Sequence, residues 1–342
     1  MSLTVGLLYN LGKYDPLEEG EPPDARAELD SEETVLAIGE AIRSAGHSVV
    51  YIEAKPTALE VLRQVPIDIA FNIAEGLRGN SRESQIPAVL EMLGIPYTGS
   101  NILTLAICLD KPTTKKILAQ AGIPTPKFAV VHPGQLWNPG DIPAPYFVKP
   151  ACEGSSIGIG PQSLCPDVAA ARAQIEYIHA AYRQPALVEE FIDGREFTVG
   201  ILGNQDYCFL PIREISFDHC PPEHGSIYSY QYKQEWDKEE YFPCPANLTD
   251  WEAARIKEVA LAAYRELNCY DVGRVDVRLG RDGIPYVLEV NPLPGLAPGY
   301  SDLPQAASVA GFTYNQLVLT ILGNAVERYG LQAALMRGAR TA

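Results

Sequence analysis

The chain of 342 residues is 46% hydrophobic and 20% charged, which describes a globular protein large enough for two or three domains. Lys and Arg number 27 against 43 Asp and Glu, and the net charge of −16 excludes nucleic acid or an anionic membrane as the main partner. The seven cysteines are scattered without a Cys-x-x-Cys pair, no basic-then-apolar leader opens the chain, and no long apolar run follows, so a reducing, cytoplasmic setting is expected.

Thr4–Tyr9 reads as a short apolar strand, followed by a polar, Pro-rich loop to Asp30. Asp30 with Glu33 three positions on has the capping-box arrangement, and Val35, Ile38 and Ile42 form one helical face that Gly46 ends. Further strands are expected at His47–Ile52 and Asp68–Ile73. Strand, helix, strand, short helix, strand predicts a small parallel βαβ domain over residues 1–100. A second unit, residues 101–188, carries helical sequence from Leu103 to Gly122, with Pro112 starting a new helix after Asp110-Lys111. A strand at Tyr146–Lys149, a Gly/Ser loop from Glu153 to Gly160, a helix from Asp167 to Ala181 and a strand at Ala186–Glu190 complete it. The third unit, residues 189–332, has strands at Glu196–Leu202 and Tyr207–Ile212. An irregular stretch from Ser216 to Pro245 is long enough for a functional lid. A helix at Asp250–Leu267 and a hairpin at Gly273–Asn291 follow, then a short polar tail beyond Ala334.

The hairpin carries the strongest chemical signal. Its strands alternate apolar and polar residues about Asp282-Gly283, a turn that sets Asp276 opposite Glu289 and Arg274 opposite Asn291 on one face. Pro285, which cannot donate a ladder hydrogen bond, signals a longer turn and a shifted register. Carboxylates about 5 Å apart repel, so the face is either an ordinary charged surface or a site for a hard cation such as Mg²⁺, with Arg274 drawing a polyphosphate. The loop Glu153-Gly-Ser-Ser-Ile-Gly158 follows strand residue Lys149 and is either a generic turn or a cradle whose N–H groups close on phosphate; it is not a Walker loop. Lys111 and Lys149 are solvated surface groups or phosphate ligands, and the acidic pair Glu189-Glu190 is solvated or meets an adenine amino group and ribose hydroxyls. His219, Cys220 and His224 match no zinc template, and neither a Gly-x-Ser-x-Gly elbow nor a Cys/His dyad supports hydrolase chemistry.

In order along the chain, Leu93-Gly-Ile-Pro-Tyr-Thr-Gly-Ser100, Phe147-Val-Lys-Pro150 with the Glu153–Gly158 loop, Val188-Glu-Glu-Phe-Ile-Asp-Gly-Arg-Glu-Phe-Thr-Val199, Tyr241-Phe-Pro-Cys-Pro-Ala246 and the hairpin running into Pro294-Gly295 resemble the ATP-grasp superfamily, and within it the D-alanine–D-alanine ligase family. The resemblance runs from Ile69 to Leu322. It implies an N-terminal α/β (pre-ATP-grasp) domain followed by an ATP-grasp fold of two α+β subdomains that grip ATP between them. It further implies a homodimer acting on small molecules, with ATP and Mg²⁺, or Mn²⁺ in its place, as cofactors. By position, Lys111 and Lys149 would contact ATP phosphates, Glu189, Glu190 and Ile192 would hold adenine and ribose, and Glu196 the ribose. Asp276, Glu289 and Asn291 would ligate the metal, and Arg274 would stabilise the transferring phosphoryl group and the oxyanion. Ser155 would lie near the first substrate, Lys233 in the lid, and Gly295 and Ser301 at the second substrate's carboxylate. The implied reaction is carboxylate–amine ligation through an acyl phosphate, with release of ADP and phosphate.

The departures from the family pattern fall on its substrate half. The N-terminal motif whose glutamate binds the first D-alanine ammonium is replaced by Tyr9-Asn-Leu-Gly-Lys-Tyr-Asp15, and Leu-His-Gly by Asn72-Ile-Ala-Glu-Gly76. Gln234 stands where D-alanine ligases carry an aromatic, and Asn-Thr-Ser-Pro-Gly has become Asn291-Pro-Leu-Pro-Gly295. Two other readings follow: a ligase for a different amino acid or a non-amino-acid carboxylate, and an ATP-binding sensor without turnover.

Overall fold

β1 (Thr4–Tyr9) is the central strand of a three-stranded parallel sheet, flanked by β2 (Ser48–Glu53) and β3 (Ile69–Asn72). Val5, Leu7 and Leu8 on β1 are shut off from solvent, because a parallel sheet is covered on both faces. The structure, a computed structural model, describes residues 2–12, 22–219, 227–229, 232 and 241–331. Lys233, Gln234, Cys220, His224, most of the expected lid and the tail beyond Ala334 lie outside the described residues.

Helix α1 (Glu32–Ser44) starts one residue later than the sequence pattern suggests. Ser31, not Asp30, is its cap, accepting from the Thr34 N–H at 3.1 Å. Both residue types cap well, so the pattern alone could not separate two neighbours. Asp30 instead bridges to Leu11, its carbonyl accepting from the Gly12 N–H. α1 lies close on β2, because a Cβ at Gly39 would stand 2.1 Å from the Tyr51 hydroxyl oxygen. α2 (Ala58–Gln64) and α3 (Gln85–Leu93) complete this unit.

α4 (Ile102–Leu109) and α5 (Lys111–Gln120) are divided where Pro112 signals, and the Asp110 carboxylate caps α5 by accepting from the Thr113 N–H at 2.9 Å. A four-stranded antiparallel sheet follows, in the order β4 (Phe128–Val131), β7 (Ala186–Glu190), β5 (Tyr146–Pro150), β6 (Leu164–Cys165). Helix α6 (Val168–Ala181) packs Ala171, Ile175 and Ile178 onto Tyr146, Val148 and Val188 of that sheet.

The third sheet is antiparallel as well, in the order β10 (Arg213–Ile215), β8 (Gly194–Leu202), β11 (Val272–Gly280), β12 (Pro285–Asn291), with β9 (Cys208–Phe209) beside β8. α7 (Asp250–Glu266) begins at a Thr249/Glu252 capping box and buries Ile256, Ala260, Ala263 and Tyr264 against Phe197, Val199, Val275 and Val277. With a period of two, the other face of β8 and β11 then carries Glu196, Thr198, Arg274, Asp276 and Arg278. One covered face and one polar face fit an antiparallel sheet beside a site.

α8 (Asp302–Val309) and α9 (Tyr314–Arg328) drew no sequence expectation. α9 turns back to the N-terminal unit and buries Leu317, Ile321 and Ala325 in one core with Ile38, Ala41 and Ile42 of α1. The wholly buried Asp271 carboxylate joins the units, accepting from the Gly99 N–H and the Asn204 amide, each at 2.9 Å, and from Arg328 at 2.6 and 3.1 Å. The α/β-then-α+β division expected from sequence therefore matches the observed sheets.

Candidate active site

The hairpin has the expected register at its charged end. Arg274 faces Asn291 and Asp276 faces Glu289, while on the other side Asp276 faces Thr198 of β8. Nearer the turn the register slips by one, so that Val277 faces Val287 and Leu279 faces Pro285. The extra residue is Leu288, a β-bulge that turns Leu288 and Glu289 both toward the polar face. The longer turn signalled by Pro285 is thus present, and the bulge restores the pairing where the carboxylates lie.

Asp276 gathers four donors. Its Oδ1 accepts from the Thr198 hydroxyl at 2.7 Å and Arg274 Nε at 3.0 Å, and its Oδ2 from an Arg274 terminal nitrogen at 2.9 Å and the Asn291 amide at 3.0 Å. The Asn291 amide oxygen keeps no partner among the described residues. Burial alone would raise the Glu289 carboxyl, but Lys111, Lys149 and Arg274 hold it well below the usual range. Lys111 Nζ lies 3.2 Å from Glu289 Oε2 and also donates to the Glu153 carbonyl. Among the described residues no three His, Cys, Asp or Glu side chains converge on one metal position. The available donor set is therefore two facing carboxylates plus an amide oxygen, which suits a cation that keeps part of its shell for water and phosphate.

Across a cleft, the middle sheet supplies Lys149 on β5 and Glu189 and Glu190 on β7. Glu189 is buried between two ammonium groups, Lys115 at 2.5 Å and Lys149 at 2.8 Å. Burial pushes Lys115 down to about 8, against the pull of Glu189. Glu190 accepts from the Lys127 N–H at 2.8 Å. Glu196 pairs with Arg278 at 3.3 Å, and burial raises its carboxyl. The cleft is lined by the apolar Pro126, Phe147, Ile159, Phe191, Ile192 and Leu288 together with the charged Lys149, Glu289 and Arg274.

The loop after β5 is built rather than loose. Ser155 and Ser156 are both left-handed, with φ of 49° and 61°, which is uncommon for residues with a Cβ and marks a backbone held by its surroundings. Ser156 donates to the Tyr228 carbonyl at 2.9 Å, and the Gly158 N–H to Asp24 at 2.8 Å. A Cβ on Gly158 would stand 2.4 Å from the Pro150 ring. Arg82 pins the loop's first residue, donating to Glu153 at 2.9 Å while holding Glu28 at 2.5 and 2.7 Å.

A second cavity adjoins the cleft, with Arg274 and Tyr228 lining both. Ser155, Asn291, Gly295 and Ser301 line this second cavity, beside Glu28, Asp30, Glu75 and Glu83 from the N-terminal unit. The Ser301 hydroxyl accepts from the Ala297 N–H at 3.1 Å, and a Cβ on Gly295 would come within 2.8 Å of that hydroxyl. Burial pushes the Asp30 carboxyl up to about 7. Between about pH 4 and that value the folded chain keeps a proton that the unfolded chain has lost, so this group withdraws stability as pH rises. Asp30→Asn should therefore flatten the fall in melting temperature between acid and neutral pH; an unchanged pH profile would contradict the buried, raised carboxyl.

A family model described as D-ala D-ala ligase C-terminus matches residues 117–323. The D-alanine–D-alanine ligase of Nitrosospira multiformis is 35% identical over 319 residues, covering 92% of this chain and 97% of that protein. The chain belongs to the D-alanine–D-alanine ligase family. It is a ligase. The uncharacterized protein y4sG of Sinorhizobium fredii is 34% identical over 337 residues, 96% of each chain. The crystal structure of the Bacillus anthracis D-alanine–D-alanine ligase complexed with ATP superposes with a TM-score of 0.73 at 24% identity, over 97% of this chain and 100% of that one. The ATP-grasp architecture expected from sequence is thus the observed one, and no described helix is long and apolar enough to cross a membrane.

This family member brings Lys149, Glu189, Glu190, Ile192, Glu196, Arg274, Asp276 and Glu289 into the cleft, and Ser155, Asn291, Gly295 and Ser301 into the adjoining cavity. Lys111 lines neither cavity but reaches Glu289 at 3.2 Å. Sequence reading missed Thr198, Arg278 and Lys115. Arg278 continues the alternation of Arg274 and Asp276, and Lys115 follows Lys111 by one helical turn, so both were open to periodicity. Thr198 carried no signal of its own.

Proposed function

We propose that this ligase couples ATP cleavage to amide formation between two amino-carboxylates, giving D-alanyl-D-alanine or a related dipeptide. What supports this most is that Arg274 lines both cavities, so one guanidinium faces the end of a nucleotide cleft and a polar substrate cavity together. The base lies in the apolar slot with Glu190 and Ile192, the ribose by Glu196, and the phosphates between Lys149, Lys111 and Arg274. Asp276, Glu289 and the Asn291 amide oxygen would hold Mg²⁺, or Mn²⁺ in its place, which neutralises the polyphosphate.

The donor carboxylate attacks the γ-phosphorus, forming an acyl phosphate and ADP. The acceptor amine then attacks the acyl carbon, phosphate leaves, and the amine gives up its proton. Carboxylates are poor acyl donors, and phosphorylation provides the leaving group. Lys149 and Arg274 act by position and charge on oxygens that gain negative charge, and the second substrate's carboxylate sits at the Gly295–Ser301 turn near the Ser155 loop. The ligase works in the cytoplasm as a homodimer. Incubating the chain with Mg²⁺, ATP and paired D- or L-amino acids should release phosphate in step with a dipeptide detected by mass spectrometry. Tight ATP binding without phosphate release for any pair would favour a sensor instead.

A further inference from the structure

The second cavity carries more negative charge than one ammonium group needs. Glu28, Asp30, Glu75, Glu83 and Asp302 line it against Arg26 and Arg274. Glu28 is held by Arg82, and Asp302 by Arg213 at 3.2 Å. Asp30, Glu75 and Glu83 make no side-chain hydrogen bond or ion pair among the described residues, although Glu83 is only 9% exposed. Burial, with repulsion from Glu28 and Glu289, pushes Glu83 up to about 7 against Arg82 and Lys111, and burial with repulsion from Glu83, Glu28 and Asp30 raises Glu75.

The backbone holds these groups in place. Gly76 sits at φ 86°, where a Cβ would fall 2.0 Å from the Arg82 carbonyl, and its N–H donates to Asn10 at 3.0 Å. Glu75 and Glu83 are therefore presented from two ends of one fixed turn. An ionised Glu83, buried and without a partner, is costly unless it keeps a proton or a ligand neutralises it, and the half-buried Asp30 and Glu75 share the same cavity. A shared metal ion does not fit, because no three acidic, His or Cys groups converge among the described residues. Separated carboxylates around one cavity suit separated positive groups on one organic ligand.

We propose that the acyl donor is an amino acid with a cationic side chain, of the lysine, ornithine or shorter diamino class, whose two positive groups are held by Asp30, Glu75 and Glu83. This rests on the ligase reading above. With a neutral donor such as alanine, one ammonium meets only one of the three carboxyl groups, and the other two avoid unpaired charge by keeping their protons; a second ammonium lets another of them ionise against it. With a diamino donor, each amine meets a carboxylate, and its own carboxylate points toward Arg274.

The experiment is a phosphate-release panel of D and L forms of alanine, glutamate, lysine, ornithine and diaminopropionate as donors with Mg²⁺ and ATP, and with products sequenced by mass spectrometry. Basic donors should exceed alanine by roughly tenfold or more in kcat/KM, the size of a charged hydrogen bond. Glu75→Gln and Glu83→Gln should raise KM for the basic donor by a similar factor and leave KM for ATP unchanged. A preference for alanine, or variants that change basic and neutral donors alike, overturns the inference while the ligase reading stands. If no pair releases phosphate, the ligase reading falls, and calorimetric titration of lysine into the chain loaded with a non-hydrolysable ATP analogue decides the cavity: no binding, or binding unchanged in Glu83→Gln, overturns the inference as well.

Discussion

Glu289→Gln should lower turnover by about 100- to 1000-fold while leaving the fold intact. The substitution keeps size and hydrogen bonding but removes a charge that Lys111 approaches at 3.2 Å, and that Lys149 and Arg274 also hold ionised. Among the described residues its one direct ion partner is Lys111, which keeps a second contact, the Glu153 carbonyl, so little structure depends on the lost charge. Asp276→Asn should be as inactive but also less stable, because Asp276 accepts from Thr198, Arg274 and Asn291. Steady-state rates beside urea unfolding of both variants separate the two effects. A Glu289→Gln variant within a few-fold of the parent rate would remove the hairpin from the reaction.

Glu189→Gln should cost about 3–5 kcal/mol of stability, the range for removing one member of a buried ion pair. Glu189 is 2% exposed, and the ammonium groups of Lys115 and Lys149 lie 2.5 and 2.8 Å from it. Without the carboxylate, both ammoniums are left facing each other in the interior. Lys115, already pushed down to about 8 by burial, can relieve this by losing its proton. The loss of stability should then be smaller above that pH than at neutrality, whereas loss of the Glu189 carboxylate alone, ionised throughout that range, would give no change. Urea midpoints at two pH values test this; a loss below about 1 kcal/mol would mean that the triad is not electrostatically coupled.

The hairpin was legible because two signals agreed: strict alternation in Arg274-Val-Asp-Val-Arg278 and a turn pair at Asp282-Gly283. The bulge at Leu288 was legible only as the warning from Pro285, since an unpaired residue leaves no mark in a run of apolar side chains. The helix start at Ser31 rather than Asp30 turned on which of two capping side chains finds the Thr34 N–H, a choice made by the bridge from Asp30 to Leu11. The packing of α9 on α1, and the bonds from Arg328 to the Tyr97 and Gly99 carbonyls, depend on the chain returning to the N-terminal unit across more than two hundred residues of sequence separation. Local pattern cannot carry that information. The acidic cavity had a partial signal in Glu75, inside the stretch that departs from the family, while Asp30 and Glu83 reach the same space only through the fold.

In the proposed reaction a carboxylate oxygen attacks the γ-phosphate before the amide forms. A donor amino acid labelled with ¹⁸O in its carboxylate, incubated with acceptor, Mg²⁺ and ATP, tests it directly by mass spectrometry of the released phosphate. One ¹⁸O atom per phosphate is the predicted result, because the oxygen that bonds to phosphorus leaves with it when the amine attacks. Phosphate released alongside dipeptide but free of the label would contradict the account.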